Sequence, residues 1–402
     1  KGKIKIKFKL DGIKTDFSQF MKRQPFQDAL NQVDKKYISN VIKEKHKLCK
    51  NKNHLNPYFS GIAYDIQNAS EKIMVHLGKD IQKKIKSENL CLAGGVALNS
   101  VANKKLYDAA NFKKMFVFPA CSDAGIPFGL ALWGAVNKYC KNKKFKINFD
   151  NAYTGKNYSN LEINNLLKKF KIKSKKSKDD EVASLLSKGK IFGRLSEASE
   201  YGPRALGNRS ILADPRNVKM RDYINKKVKH REVFRPFAPS ILEDEYNKHF
   251  DLKTISPYML LVAKSKKPNI IPSAIHIDGT ARVQTVNKIH NKKFYNLIKA
   301  FHKITKVPIL LNTSFNDAGE PLVETPLDAL LCFLKTKIDY LIIEDKLIYR
   351  PKNSKTIIKK LETFRNKLIN NREKLLLKRF MKSFSHQEFL IRRKKENNLA
   401  IY

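Results

Sequence analysis

Four cations in the second half of the chain, Arg204, Lys229, Arg235 and Arg282, each sit near glycine or proline, or at the end of a helical or strand-like run. Residues 200–216 read EYGPRALGNRSILADPR and set Gly202, Pro203 and Gly207 around Arg204 and Arg209. Glycine accepts positive φ and proline fixes φ near about −65°, so such a run follows one tight path. A guanidinium on that path is a planar fork suited to phosphate or carboxylate. Two readings are open for the run alone: a loop that holds a small anion, or a structural turn whose arginines pair with carboxylates elsewhere. Asn312 and Ser314 add neutral donors just past an apolar strand-like run, residues 307–311. Several cations converging on one pocket are costly unless a polyanion neutralises them. Together they point to phosphate groups and to electrostatic stabilisation of phosphoryl or acyl transfer. No histidine or cysteine stands in an evident pair with a base, so covalent catalysis has little support.

A second constellation lies in the first half. Residues 90–100, LCLAGGVALNS, carry an apolar strand into a double glycine and then a helix start. Gly94 and Gly95 let a ligand approach the backbone, and a helix N-terminus there supplies free N–H groups suited to nucleotide phosphate. A strand-to-helix turn can also use two glycines for geometry alone. With the helix starting at Val96, Asn99 sits one turn in. The pattern repeats at residues 115–119 (MFVFP) and 121–125 (CSDAG), where Asp123 lies between strand end and helix start. There a carboxylate either caps the helix or binds a metal.

The elements that must position these groups are read from hydrophobic spacing. Helices are expected over 58–87, 161–170, 220–229, 294–304 and 327–334, and strands over 188–194, 258–262, 307–311 and 340–343, the last of them final. Asp278 and Gly279 mark a turn before Arg282. A lysine-rich connection over 141–180 puts a domain boundary near Asp150. Beyond residue 350 the chain is basic and helical in pattern.

At 402 residues with 42% hydrophobic content, the chain has room for two globular domains and a tail. No apolar run is long enough to span a bilayer. Residues 1–10 alternate like a strand and carry no signal-peptide pattern, and the first residue is Lys, which leaves room for an upstream portion. Five scattered cysteines without a Cys-x-x-Cys fit reduced thiols in the cytoplasm. The formal charge of +44 is mostly lysine spread through the whole chain. Such a spread fits loose, salt-sensitive adhesion to polyanions better than specific nucleic-acid recognition.

Several runs resemble, in order, the O-carbamoyltransferases of the NodU/CmcH type (TobZ-like): residues 93–100 (AGGVALNS), 122–125 (SDAG), 201–216, 231–239 (REVFRPFAP) and 311–316 (LNTSFN). The resemblance covers residues 58–350 and implies an α/β fold. A partial actin-like (ASKHA-type) domain would fill 1–150, a YrdC-like α/β domain 151–350, and a basic helical tail 351–402. It implies that carbamoyl phosphate and ATP, the latter with Mg²⁺, give carbamoyl adenylate, whose carbamoyl group passes to a hydroxyl of a small-molecule or sugar acceptor. On that resemblance Arg204, Lys229 and Arg235 look catalytic, and Arg209, Arg282, Asn312 and Ser314 look substrate-binding. Gly94, Gly95 and Asn99 resemble the nucleotide-binding turn, and Asp123 a ligand of an iron (Fe²⁺). Carbamoyl phosphate is a mixed anhydride, and cations on its oxygens lower the charge cost of cleavage.

The sequence departs from the family at the metal site. The His-x-x-x-His pair of the first domain is missing, since His46 and His54 do not fit it, and the early strands of the actin-like fold are absent. The chain thus looks like the C-terminal two-thirds of such an enzyme. A basic nucleic-acid-associated protein, or an inactive fragment on the same scaffold, is the alternative. The oligomeric state is open, a homodimer being one option.

Overall fold

The computed structural model describes residues 57–85, 87–139, 149 and 151–383. The alternating run at 1–10, His46, His54 and the last part of the basic tail lie outside them. The chain divides into two compact units, Lys1–Ile73 and Met74–Tyr402. Of the first, the described part is helical, with Gln67 Nε2 donating to Glu71 Oε1 at 2.7 Å. Every described strand lies in the second.

The first elements are α1 (Pro57–Ile85), β1 (Asn89–Leu92), α2 (Ser100–Ala109), β2 (Lys114–Val117) and α3 (Ile126–Gly134). β1 and β2 pair in parallel, Asn89 opposite Lys114 through Leu92 opposite Val117. Leu90, Leu106, Ala110 and Phe112 make a small core beneath them. Helix does not begin at Val96. Gly95–Leu98 form a single 3₁₀ turn, and Asn99 is the N-cap of α2, its side chain accepting from the Ala102 N–H. Asparagine at that position satisfies one of the orphan donors of the first turn.

The larger part runs through α4 (Asn160–Lys169), β3 (Ser174–Lys176), α5 (Asp179–Ser187), β4 (Phe192–Leu195), β5 (Arg209–Ala213), α6 (Met220–Lys227) and β6 (Ala238–Leu242). It continues with α7 (Tyr246–His249), β7 (Phe250–Asp251), β8 (Val262–Ser265), β9 (Thr280–Arg282) and β10 (Gln284–Val286). Then come α8 (Lys292–Thr305), β11 (Ile309–Ser314), α9 (Pro326–Lys335), β12 (Tyr340–Ile343), β13 (Lys346–Tyr349) and α10 (Ser354–Ser383). Eight of the strands form one mixed sheet, ordered β10-β6-β11-β5-β4-β12-β13-β3, and β7, β8 and β9 form a three-stranded antiparallel sheet.

Side chains alternate across a strand, and the central strands bury both faces. Ile211 and Ala213 of β5, Leu311 of β11 and Leu341 and Ile343 of β12 join one core with α4, α6, α9 and the start of α10. Leu212, Leu310 and Ile342 join the opposite core with α5 and α8. Each such side chain is worth about 1.5–3 kcal/mol when fully buried. This two-sided burial explains why these strands read as continuous apolar runs. Thr325 caps α9 in a reciprocal capping box with Asp328.

Three local expectations differ from the structure. Residues 259–261 are buried and Tyr258 is half-buried, but none of them is in a strand, and β8 begins only at Val262. Met259 adopts a left-handed φ of 55°, which strand pairing does not accommodate. β12 is not the last strand, because β13 turns back antiparallel to it. β11 extends through Asn312, Thr313 and Ser314, since those residues pair with β5 on one side and Asn312 also pairs with β6 on the other.

Candidate functional site

The loop from residue 200 to 209 is built around a buried carboxylate. Glu200 Oε1 accepts the backbone N–H groups of Leu206, Asn208 and Arg209 at 2.7, 2.8 and 3.2 Å. Burial raises its carboxyl above the ordinary range, while the Leu206 and Asn208 N–H groups and the Arg209 charge pull it down. Tyr153 donates its hydroxyl to the Leu206 carbonyl at 3.0 Å. Gly207 has φ of 116°, and a Cβ there would lie 2.3 Å from the Phe294 ring, so no larger residue fits. Buried Arg194 donates to the Gly207 carbonyl and to Asn208 Oδ1.

A polar layer across three strands fixes the far side of the loop. Gln284 Nε2 donates to the Leu206 carbonyl at 2.7 Å, and Gln284 Oε1 accepts from Ser240 Oγ at 2.6 Å. Asn312 Nδ2 donates to Ser240 Oγ, Gln284 Oε1 and the Ala205 carbonyl. Ser240, Gln284 and Asn312 are all essentially inaccessible to solvent, so these bonds are strong and costly to leave unmade.

This frame holds a cavity of about 300 Å³. Its cationic wall is Arg204, Arg231, Arg235 and Arg282, and its floor is Asn312, Thr313 and Ser314 at the end of β11. Ser100 of α2, Met259 and His276 close it. No Asp or Glu among the described residues lines it. Arg204 Nη2 donates to the Leu98 carbonyl at 3.2 Å, which ties the arginine to the turn after the double glycine. The Nε atoms of Arg204 and Arg282 are buried without a partner. Burial, and secondarily Arg204 and Arg231, push the Arg282 guanidinium down to about 9; burial lowers Arg204 as well. Uncompensated guanidinium groups in a partly dry cavity form a site that an anion would stabilise.

Arg204, Arg235, Arg282, Asn312 and Ser314 therefore meet in one place. Lys229 stands behind the floor and not among the cavity-lining side chains. Its ammonium donates to the Ser314 carbonyl at 2.9 Å, Ser314 Oγ at 3.2 Å and the Asn316 carbonyl at 2.7 Å, and also reaches Asn316 Oδ1. Burial pushes it down to about 8. Arg209 is fully buried elsewhere, donating to the carbonyls of Ser196, Glu197 and Asn208, with Glu324 at 3.9 Å. Gly94 and Gly95 border open space, Gly94 at φ of 94°, and they precede Leu98, whose carbonyl meets Arg204, by four and three residues.

Asp123 opens a short 3₁₀ turn and is exposed. Among the described residues no group of three His, Cys, Asp or Glu side chains could hold a metal ion. One exposed carboxylate does not fit an iron site by itself.

Sequence reasoning did not single out Ser100, Arg231, Met259 or His276. Ser100 closes one of the runs that carry the resemblance and Arg231 opens another. His276 and Met259 had no signal, because chain folding alone brings them to the cavity.

Family models match most of the chain: one described as "Carbamoyltransferase N-terminus" over residues 5–132 and one as "Carbamoyltransferase C-terminus" over 183–350. An uncharacterised protein of Synechocystis sp. is 39% identical over 315 residues, 71% of this chain and 51% of that one. The nodulation protein NolO of Bradyrhizobium diazoefficiens is 38% identical over 297 residues, 71% of this chain and 54% of its own. Nodulation protein U of Sinorhizobium fredii is 35% identical over 58% of this chain and 40% of its own. The chain spans about half the length of the curated relatives it matches. A solved HypF in its phosphate- and nucleotide-bound form aligns over 44% of this chain and 23% of its own, at 16% identity and a TM-score of 0.30, a likeness too small to carry any argument.

Proposed function

The chain belongs to the carbamoyltransferase family, and on that premise we propose that its arginine cavity activates a carbamoyl group for transfer to a hydroxyl. One observation carries the reading: Arg204 and Arg282, each with a buried, unpartnered Nε, line a cavity with no acidic lining among the described residues. Carbamoyl phosphate is the small polyanion that suits it, and ATP enters with Mg²⁺. Carbamoyl phosphate, ATP and water give carbamoyl adenylate, phosphate and pyrophosphate. Water first cleaves the mixed anhydride to carbamate and phosphate, and a carbamate oxygen then bonds to the α-phosphorus of ATP as the bond to pyrophosphate breaks. Fixed guanidinium groups take up charge growing on the phosphate oxygens, and Asn312 and Ser314 donate from the floor. In the transfer step the acceptor oxygen bonds to the carbamoyl carbon, AMP leaves with the electron pair, and the hydroxyl proton is released. The acceptor is a small molecule or sugar.

Pyrophosphate exchange into ATP that depends on carbamoyl phosphate tests the first step. Arg204→Ala is expected to lower that exchange by about 100-fold or more. Exchange retained in this variant would remove Arg204 from the reading.

A further inference from the structure

Cleavage of carbamoyl phosphate by water releases a proton, and the cavity lining offers few places to put it. Four of the lining side chains are arginines, and even Arg282, lowered to about 9, keeps its own proton at neutral pH. No Asp or Glu among the described residues lines the cavity, and Ser100, Asn312, Thr313 and Ser314 take up no proton near neutrality. His276 is left. A short relay fixes which nitrogen of its ring can accept. The Thr280 hydroxyl donates to Asp278 Oδ1 at 2.7 Å, and the Thr280 N–H donates to the same oxygen at 2.9 Å. With its own hydrogen spent there, Thr280 Oγ1 meets His276 Nδ1 at 3.0 Å as an acceptor. Nδ1 therefore carries the ring hydrogen and Nε2 the lone pair. Nε2 has no hydrogen bond among the described residues. The backbone holds the ring in place: the His276 N–H donates to the Thr280 carbonyl at 2.7 Å, and the Gly279 N–H to the His276 carbonyl at 3.0 Å.

We propose that His276 Nε2 is the general base for the water that cleaves carbamoyl phosphate, positioned by Thr280 and, through it, by Asp278. The proposal rests on the carbamoyl-activation reading and adds to it a proton acceptor. The water oxygen bonds to phosphorus, the phosphorus–oxygen bond to the carbamoyl group breaks, and carbamate leaves with the electron pair. One water proton goes to Nε2 and the other stays on the phosphate; the imidazolium then gives its proton to the departing phosphate or to solvent. Burial holds the imidazole below its usual 6.5, with Asp278 working against that and Arg282 with it, so the ring enters the step neutral at pH 7. Burial pushes the Asp278 carboxyl up, but the Thr280 hydroxyl and N–H, with His276, hold it below its ordinary value, as an acceptor. The charged groups that share the turn and the cavity with His276 are Asp278, Arg282 of β9, Arg204 before β5, and Arg231 and Arg235 before β6. Those four cations disfavour an imidazolium, and a bound dianion offsets them, so proton uptake becomes easier once substrate is present.

The test measures pyrophosphate exchange by the full chain, supplied either with carbamoyl phosphate or with carbamate from ammonium bicarbonate, which bypasses the water step. Phosphate binding is followed by calorimetry for the wild type, His276→Gln and Thr280→Val. His276→Gln is expected to lower the maximal carbamoyl-phosphate-dependent rate about 100-fold or more, while phosphate affinity changes less than about fivefold. Exchange supplied with carbamate should fall less than about tenfold. On the acid side the wild-type rate with carbamoyl phosphate should drop about tenfold per pH unit, and His276→Gln should lack that limb. If His276→Gln keeps the rate or the acid limb, or loses both exchanges alike, the proposal falls and the cavity reading stands. A wild-type chain that shows neither exchange nor phosphate binding overturns that reading, and the proposal with it. Should His276→Gln fail to fold, Thr280→Val decides, because it frees Nδ1 from the group that fixes its tautomer. It is expected to cut the carbamoyl-phosphate-dependent rate at least about tenfold; an unchanged rate and pH profile there overturn the proposal.

Discussion

Lys229 is where residue type and tertiary position diverge most. Its place in a basic run near proline makes it read as a phosphate ligand, and such a lysine is often a point charge for anions. In the fold its ammonium is spent on neutral oxygens of residues 314 and 316, and burial, with Arg231 adding to it and Asp317 offsetting it only in part, drives its pKa down to about 8. The sign of the pH effect follows. Between about 8 and the usual value of 10.5 the unfolded chain carries the proton and the folded chain does not, so folding becomes more favourable as pH rises through that window. Denaturant unfolding of the wild type and Lys229→Met at the two ends of the window should show the wild type gaining a few kcal/mol on the variant toward high pH. A pH-independent difference would mean that the ammonium stays protonated and that burial is not its controlling cost.

At the scale of elements, the loop before β5 shows how a glycine-proline run becomes a rigid anion frame. The residues that rigidify it are not the arginines but Glu200, which gathers three N–H groups, and Gly207, whose missing side chain admits Phe294. The loop's composition was legible as a tight path; its hub was not, because a lone glutamate at position 200 carries no local pattern. Removing that hub leaves three buried N–H groups unpaired and the fully buried Arg209 without its main electrostatic partner. Glu200→Ala should therefore cost about 3–5 kcal/mol in unfolding free energy. Glu200→Gln, which keeps an acceptor oxygen, should cost clearly less. Equal losses in the two variants would show that the charge, and not the acceptor, holds the loop.

For the whole molecule, the eight-stranded sheet with a core on each face sets the scale on which the site is assembled. The cavity draws on the start of α2, the loop before β5, the segment before β6, and the ends of β9 and β11. Among the described residues no helix is long and apolar enough to cross a membrane. The charge of +44 belongs to the entire chain and mostly to lysine. It predicts adhesion to any nucleic acid or heparin at low ionic strength, without sequence preference, released near about 0.15 M salt where screening reaches about 8 Å. Gel-shift or anisotropy titrations against unrelated sequences check this. A sequence-selective complex that survives such salt would favour the nucleic-acid reading over the carbamoyltransfer one.

By itself the sequence determined the carbamoyltransferase family and the order of the parts. Arginines beside glycine and proline, an apolar run ending in Asn312 and Ser314, and a double glycine before a capped helix are local patterns, and local patterns are written in local spacing. Only the tertiary structure decided which cations share a cavity. Arg209, five residues from Arg204, turns into the interior, because successive residues of β5 face opposite sides of the sheet and its own neighbours supply carbonyl acceptors. Arg231 reaches the cavity because a buried asparagine six residues earlier and a phenylalanine six residues later hold it there. His276 and Ser100 arrive from segments far apart in the chain. Such meetings are set by strand order and packing, which no spacing along the chain encodes.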